Sequence, residues 1–258
     1  MNQTLDLLME RKSIRAYTDD GIDEEVKAKI LAAAMRAPTA GNMTLYSILD
    51  ITDQAIKDIL VKTCDNQPFI ARAPMVWVFL ADYQRWFDYF HHSGVVEICK
   101  QRDILLRKPE EGDLFLACCD ALIAAQNAVV AAQSFGIGSC YIGDIMENYE
   151  VHQELFDLPQ YTFPICMLVF GYPTDQQINR EKTSRLDKDY VFFENKYRRL
   201  SDEEFDSLYQ DRRVPQGAKS AGLENFGQAM YFRKFDSDFS IEMSRSVRAM
   251  LDVWVERP

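Results

Sequence analysis

Residues 11–20 read RKSIRAYTDD. Arg11, Lys12 and Arg15 place three cations around the Ser13 hydroxyl within five positions. Guanidinium, ammonium and hydroxyl donors together are what an oxyanion such as phosphate needs. The chain as a whole carries a net charge of −11, so this is a local positive site in an acidic protein. Alone, the pattern is more economically a solvated basic turn. A second basic pair, Lys182 and Arg185, follows an apolar run. In the loop APTAGNMT, Thr39, Gly41 and Asn42 offer a hydroxyl, bare backbone and an amide to a polar ligand, although the same residues make an ordinary helix-to-strand loop. Further on, SCYIGD sets Gly143 where a backbone could approach a ligand closely.

Other chemistries lack their residues. No GxGxxG follows a strand-like run, and neither GxxxxGK[ST] nor GxSxG occurs. Three histidines offer no triad, and the adjacent pair His91 and His92 would project in different directions from a helix, so no metal site is expected. The six cysteines have no metal-ligand spacing, and four lie in apolar runs, which suits buried thiols in a reducing compartment. A pI near 4.8 argues against nucleic acid and anionic membrane as partners. The first residues, MNQTLDLLMERK, have no long apolar core, so the expectation is a cytoplasmic protein.

Such residues need a scaffold, and its centre is the stretch Asp113–Phe135. Asp113, Asp120, Asn127 and Ser134 recur every seven residues, and nearly everything else there is apolar, much of it alanine. That composition predicts a buried central helix, stopped by Gly136. Strands are predicted at 46–51, 75–81, 139–142 and 163–170, with the continuous apolar runs MVWVFLA and FPICMLVF as the central ones. Helices are predicted at 3–10, from Glu24 with Asp23 as its cap, at 53–62, 147–156 and 239–254. Residues 82–112 read as a helical excursion. Strands separated by helices give an α+β layered fold.

In this order, RKSIRAY, APTAGNMT, NQPFI, GIGSCYIGD, FPICMLVFGYP and KTSRL with VFFEN resemble the FMN-dependent nitroreductase family, most closely its NADPH-linked, oxygen-insensitive branch. The resemblance covers about the first 200 residues. It implies a three-layer fold with a mixed central sheet flanked by helices around the long helix, and a homodimer with FMN held across its interface. Residues 1–200 would form the FMN-binding domain. Residues 201–258 would form an extension, a loop plus a helix packing on the same domain or its partner. On matching positions, Arg11, Lys12, Ser13, Lys182 and Arg185 would bind the phosphate. Arg15 would stabilise the reduced ring, Gln67 would contact the ring, and Tyr141, Ile142 and Gly143 would line it, with the Gly143 N–H at flavin N5. Thr39, Gly41 and Asn42 would come from the partner subunit. Asp144 stands where relatives often have a second glycine. Arg212 and Arg213 could meet a nicotinamide 2′-phosphate or simply lie exposed.

The implied activity is hydride transfer from NADPH or NADH to FMN and then to a nitroaromatic, quinone or flavin acceptor by a ping-pong route. No protein side chain is then a catalytic residue; the flavin carries the chemistry, and Arg15 and Gly143 tune it. The alternatives are a flavin-binding, storage or sensing protein with little turnover, or a dehalogenating or flavin-cleaving relative on the same fold.

Overall fold

The computed structural model describes residues 2–209, 212, 214–215 and 217–256. The chain divides into two compact units, residues 1–180 with 242–258, and residues 181–241.

The first unit runs α1 (Gln3–Glu10), α2 (Glu24–Met35), β1 (Tyr46–Asp50), α3 (Gln54–Thr63), α4 (Phe69–Arg72), β2 (Met75–Asp82), α5 (Gln84–His92), α6 (Val95–Gln101), α7 (Glu111–Ser134), β3 (Gly138–Ile142), α8 (Tyr149–Leu155), β4 (Thr162–Gly171) and α9 (Asp175–Asn179). Asp53 caps α3 by accepting the Ala55 N–H at 2.7 Å. Asp23 stands at the cap position of α2, yet its carboxylate makes no capping bond.

The four strands form one sheet in the order β1-β2-β4-β3, each pair antiparallel. The expected mixed sheet is therefore corrected. Among the described residues the one parallel pairing is an isolated bridge from Ser13 to Ser139. The apolar runs that marked the central strands have a plain cause, because both faces of the sheet are covered. On one face Met75, Trp77, Phe79, Leu168 and Phe170 pack with Ile30 of α2 and the alanines of α7. On the other, Val76, Val78, Leu80, Met167 and Val169 pack with Leu60 of α3 and Ile70 of α4. Burying each such large side chain stabilises the fold by roughly 1.5–3 kcal/mol.

By length and composition α7 could cross a membrane, but its inner face, Ala117 to Ala132, lies on the sheet. Its polar stripe is structural. Asp113 accepts from Arg107 at 2.6 Å and from the Glu110 N–H at 2.9 Å, closing a capping box. Asp120, buried, accepts the N–H groups of Ala40 at 2.9 Å and Leu45 at 3.1 Å. Asn127 donates to the Ala33 carbonyl at the end of α2. At the far end Gly136, at φ 74°, lets its own N–H reach Gln133 and the Ile137 N–H reach Ala132. This paired closure is the Schellman cap that glycine favours. The opposite face of α7 stays apolar and open, with Phe115 69% and Leu116 50% exposed and Leu122 and Ile123 beside them.

The last helix, α12 (Asp238–Trp254), follows α10 (Asp202–Tyr209) and α11 (Phe226–Met230) in the chain. Its end packs into the first unit's own core. Trp254 is fully buried, meets Tyr161 edge-on and donates to the Glu110 carbonyl.

In the second unit Arg198 holds Glu204 through two bonds of 2.8 and 2.7 Å and lies over Phe193. Tyr209 stacks on Phe226.

Candidate functional site

Residues 13–18 run beside the ends of β3 and β4. The Ile14 N–H donates to Ser139 at 2.9 Å, and the Thr18 N–H donates to Tyr172 at 2.9 Å. Two glycines permit this approach. A Cβ on Gly138 would lie 2.4 Å from Ile14 Cγ1, and one on Gly171 would lie 2.6 Å from the Tyr17 ring. Because the segment is extended, Ile14 points into the core while Ser13 and Arg15 point to the other side.

There they meet the Cys140 thiol. Burial pushes its pKa up, while Arg15, the Ser13 hydroxyl and Arg11 pull it back. Arg11, Ser13 and Arg15 of the segment 11–15 thus converge at β3, two assigned by sequence to the phosphate and one to the ring. One Arg11 guanidinium nitrogen is buried there with no hydrogen-bond partner. Lys12 turns elsewhere, donating to the carbonyls of Ile178 at 2.5 Å and Arg180 at 2.6 Å. Arg180 in return donates to the Ser13 carbonyl. Its part in holding this segment was not foreseen, for a lone arginine after a turn carries no signal in sequence.

Arg15 also lies over the Phe69 ring, 6.0 Å to its centroid, which ties the cation cluster to the loop before α4. That loop holds Gln67. Its amide donates to the Cys64 carbonyl at 3.0 Å and to Asp144 Oδ2 at 2.9 Å. Asp144 opens the turn after β3 and follows the exposed Gly143. Tyr141 is half-buried, with its hydroxyl donating to Gln126. The Ile142 side chain is buried in the core, so what it can offer a ligand is backbone. Glu147, three residues past Asp144, is 5% exposed. An acid three residues after Asp144 is the one trace that residue left in the sequence.

Thr39, Gly41 and Asn42 lie elsewhere. Thr39 Oγ1 accepts the Thr44 N–H, and Gly41 adopts φ 57°. The loop leads into Tyr46, which pairs with Ala81, itself opposite Phe163, whereas Cys140 pairs with Val169. Six residues along β4 and three strand spacings across put the loop about 20–25 Å from Cys140. One copy of the chain does not bring them together.

Lys182 and Arg185 belong to the second unit, where Arg185 donates to the Thr183 carbonyl. Arg212 in that unit lines a cleft with Tyr209 and Phe226. Arg213 lies outside the described residues. Among the described residues no cluster of His, Cys, Asp and Glu could hold a metal ion.

Residues 8–172 match the model of the nitroreductase family. An oxygen-insensitive NADPH nitroreductase from Salmonella typhimurium is 33% identical over 212 residues, covering 82% of this chain and 81% of its own. Nitroreductase A from Vibrio parahaemolyticus is 26% identical, covers 97% of this chain and 98% of its own, and superimposes with a TM-score of 0.77. The NADPH:FMN oxidoreductase from Vibrio harveyi, solved with NAD+, shares the fold at 24% identity and TM-score 0.76, covering 97% of this chain and 98% of its own.

Proposed function

The chain belongs to the nitroreductase family, and from that premise we propose that this NAD(P)H oxidoreductase is an FMN enzyme, working by a ping-pong route on a nitroaromatic, quinone or flavin acceptor. The observation that carries the reading is the buried Arg11 nitrogen without a partner, beside Ser13 and Arg15. An unpaired buried donor is costly, and a phosphate dianion satisfies it with charge-assisted bonds. The residues therefore fit the phosphate of FMN.

Bound there, FMN would supply the hydride chemistry between nicotinamide and acceptor. Arg11 and Ser13 hold the phosphate. Arg15, set on Phe69, keeps a positive charge between that end and Gln67. The exposed Gly143 leaves room for a ring at the end of β3. The sheet behind them buries one Arg11 guanidinium nitrogen, while Arg15 stays open to solvent.

A homodimer completes the site in this reading. The loop at 39–42 is far from Arg11 in its own subunit, and the open apolar face of α7 lies on the helix that holds this loop through Asp120. Pairing through that face suits an isologous contact in which each loop serves the other subunit's cradle.

The test is titration of apoprotein with FMN, then stopped-flow mixing with NADPH and an oxidant. A yellow complex reduced by NADPH and reoxidised by an added acceptor is expected. A protein that ignores FMN sinks the proposal. A complex that binds FMN but is not turned over selects the storage or sensing alternative. For the dimer, mixing an Arg11 variant with a Thr39 variant should restore part of the activity.

A further inference from the structure

The turn after β3 holds an acid pair, Glu147 buried and Asp144 half-buried, that the proposed chemistry leaves unused. Glu147 is 5% exposed, and one of its carboxyl oxygens is buried with no hydrogen-bond partner. The two carboxyls of Asp144 and Glu147 lie within hydrogen-bonding reach of each other. Two carboxylates in contact, one of them buried, cannot both stay ionised. A single proton between them would satisfy both. The surroundings press the same way. Asp65, from the loop after α3, and Glu242 of α12 add negative charge. The Cys64 thiol faces both acids, and its pKa is pushed up chiefly by burial. His152 of α8 is held neutral, its pKa brought down to about 4 by burial, between the Ile145 carbonyl and the Thr63 hydroxyl. Arg245, the cation nearby, is already paired with Glu242 and Glu150.

Gln67 shows how its amide is turned toward this pair. Its amide nitrogen has two partners, the Cys64 carbonyl and Asp144 Oδ2. A carbonyl can only accept, so the NH₂ faces this way, and Asp144 accepts from it. Glu147, the more deeply buried of the two, is then the acid that donates, and Asp144 accepts from both Gln67 and Glu147. The Gln67 carbonyl oxygen is turned away from the turn, and among the described residues no donor meets it.

We propose that Asp144 and Glu147 are positioning residues for the ring end of the site. They share one proton, with Glu147 donating to Asp144, and so lock the Gln67 amide with its oxygen presented as an acceptor to a ring N–H. The positioning role rests on the FMN reading; the shared proton does not. Burial and the neighbouring acids push Glu147 up to about 8, which sets where the lock opens. Above that, two like charges in contact drive Asp144 away from Gln67.

The experiment has two arms, chosen so that the two ideas fail separately. In the first, infrared spectra of apoprotein are recorded across neutral and mildly alkaline pH. A protonated carboxyl band present at neutral pH should vanish as pH passes about 8 and be absent in Glu147→Gln. No such band overturns the shared proton. In the second arm, FMN affinity is measured over the same range. Wild type should weaken above pH 8 by about tenfold per pH unit, as one linked proton requires. Glu147→Gln, which still donates but cannot ionise, should bind as well as wild type at neutral pH and lose this dependence. Should Glu147→Gln fold poorly, Asp144→Asn serves, and its carboxyl band should titrate at lower pH than in wild type. A wild type that binds FMN with no pH dependence, or variants that follow the wild-type curve, overturns the positioning role while leaving the FMN reading standing. If FMN does not bind at all, that reading falls and the positioning role with it, while the infrared arm still decides the proton.

Discussion

Two clusters of like charge lie along β3, one at its middle and one just past its end, and they solve the same problem in opposite ways. At Cys140, Arg11 and Arg15 gather with Ser13, and a guanidinium nitrogen is left without a partner. Past Ile142, Asp144 and Glu147 gather with Gln67, and a proton would relieve them. Arginine cannot shed its proton at any ordinary pH, so the buried, unpartnered Arg11 nitrogen would be satisfied by an anion from outside. Carboxyls can be neutralised from within, so such an acid pair needs no ligand. The difference tells which cluster waits for a charged cofactor group and which shapes an uncharged one.

The sharpest way to break the comparison is to remove the close approach that builds the basic cluster. Gly138→Ala puts a methyl against Ile14, with nothing to yield but a buried side chain. Overpacking of this kind costs ~1–3 kcal/mol, and displacement of residues 11–15 should abolish FMN binding as well. Gly143→Ala at the acid end meets only the tip of Met146 at 4.0 Å and should be tolerated. Thermal unfolding with FMN titration on both variants checks the contrast.

Next in size is Arg11→Ala. Loss of one charge-assisted bond should weaken FMN by ~1.5–3 kcal/mol. The apoprotein should not be destabilised, because the unpaired donor goes with the side chain. Equilibrium titration and apoprotein melting separate the two effects.

The acid end predicts a pH signature in apoprotein stability. Folded, Glu147 keeps its proton up to about 8. Unfolded, it releases it near pH ~4.3. Between these values the unfolded state binds fewer protons, so this residue makes stability fall as pH rises, by at most ~1.4 kcal/mol per unit. Glu147→Gln should gain on wild type across that window and not below it, as read from urea unfolding at several pH values.

Smallest is the effect of Arg15→Ala on the bound flavin. Arg15 is exposed, so solvent screens it. Its positive charge favours the reduced ring, and the variant should show a lower midpoint potential in spectroelectrochemistry.

Much of this was legible in sequence, for reasons particular residues make plain. The strands at 46–50, 75–82, 138–142 and 162–171 lie within a residue or so of where apolar runs put them, because burial on both faces leaves no room for polar residues. Strand direction was hidden by the same fact. An apolar run looks alike whichever way its neighbour runs. Arg11, Lys12, Ser13 and Arg15 were picked out together by charge and hydroxyl, and only the extended backbone shows that alternate positions share a side. Lys12 lies between Arg11 and Ser13 and points elsewhere for that same reason. Glu147 was read as the start of a helix. Nothing in its neighbours shows that the helix begins two residues later and that the acid turns inward.

The polar stripe of α7 has a consequence in time. Asp120 joins Ala40 across 80 residues, and Asn127 joins Ala33 across 94. Closing such long loops costs entropy before the contacts reward it, and the expectation is that these two tethers form after the folding barrier. The helix itself can form early from its own capping box and glycine stop. Its tethers to the first 45 residues come last. Removing one, as in Asp120→Ala, should therefore quicken unfolding far more than it slows folding, visible as a shift confined to the unfolding arm of a chevron. The loop that Asp120 holds, at residues 40–45, would then also be the first to let go.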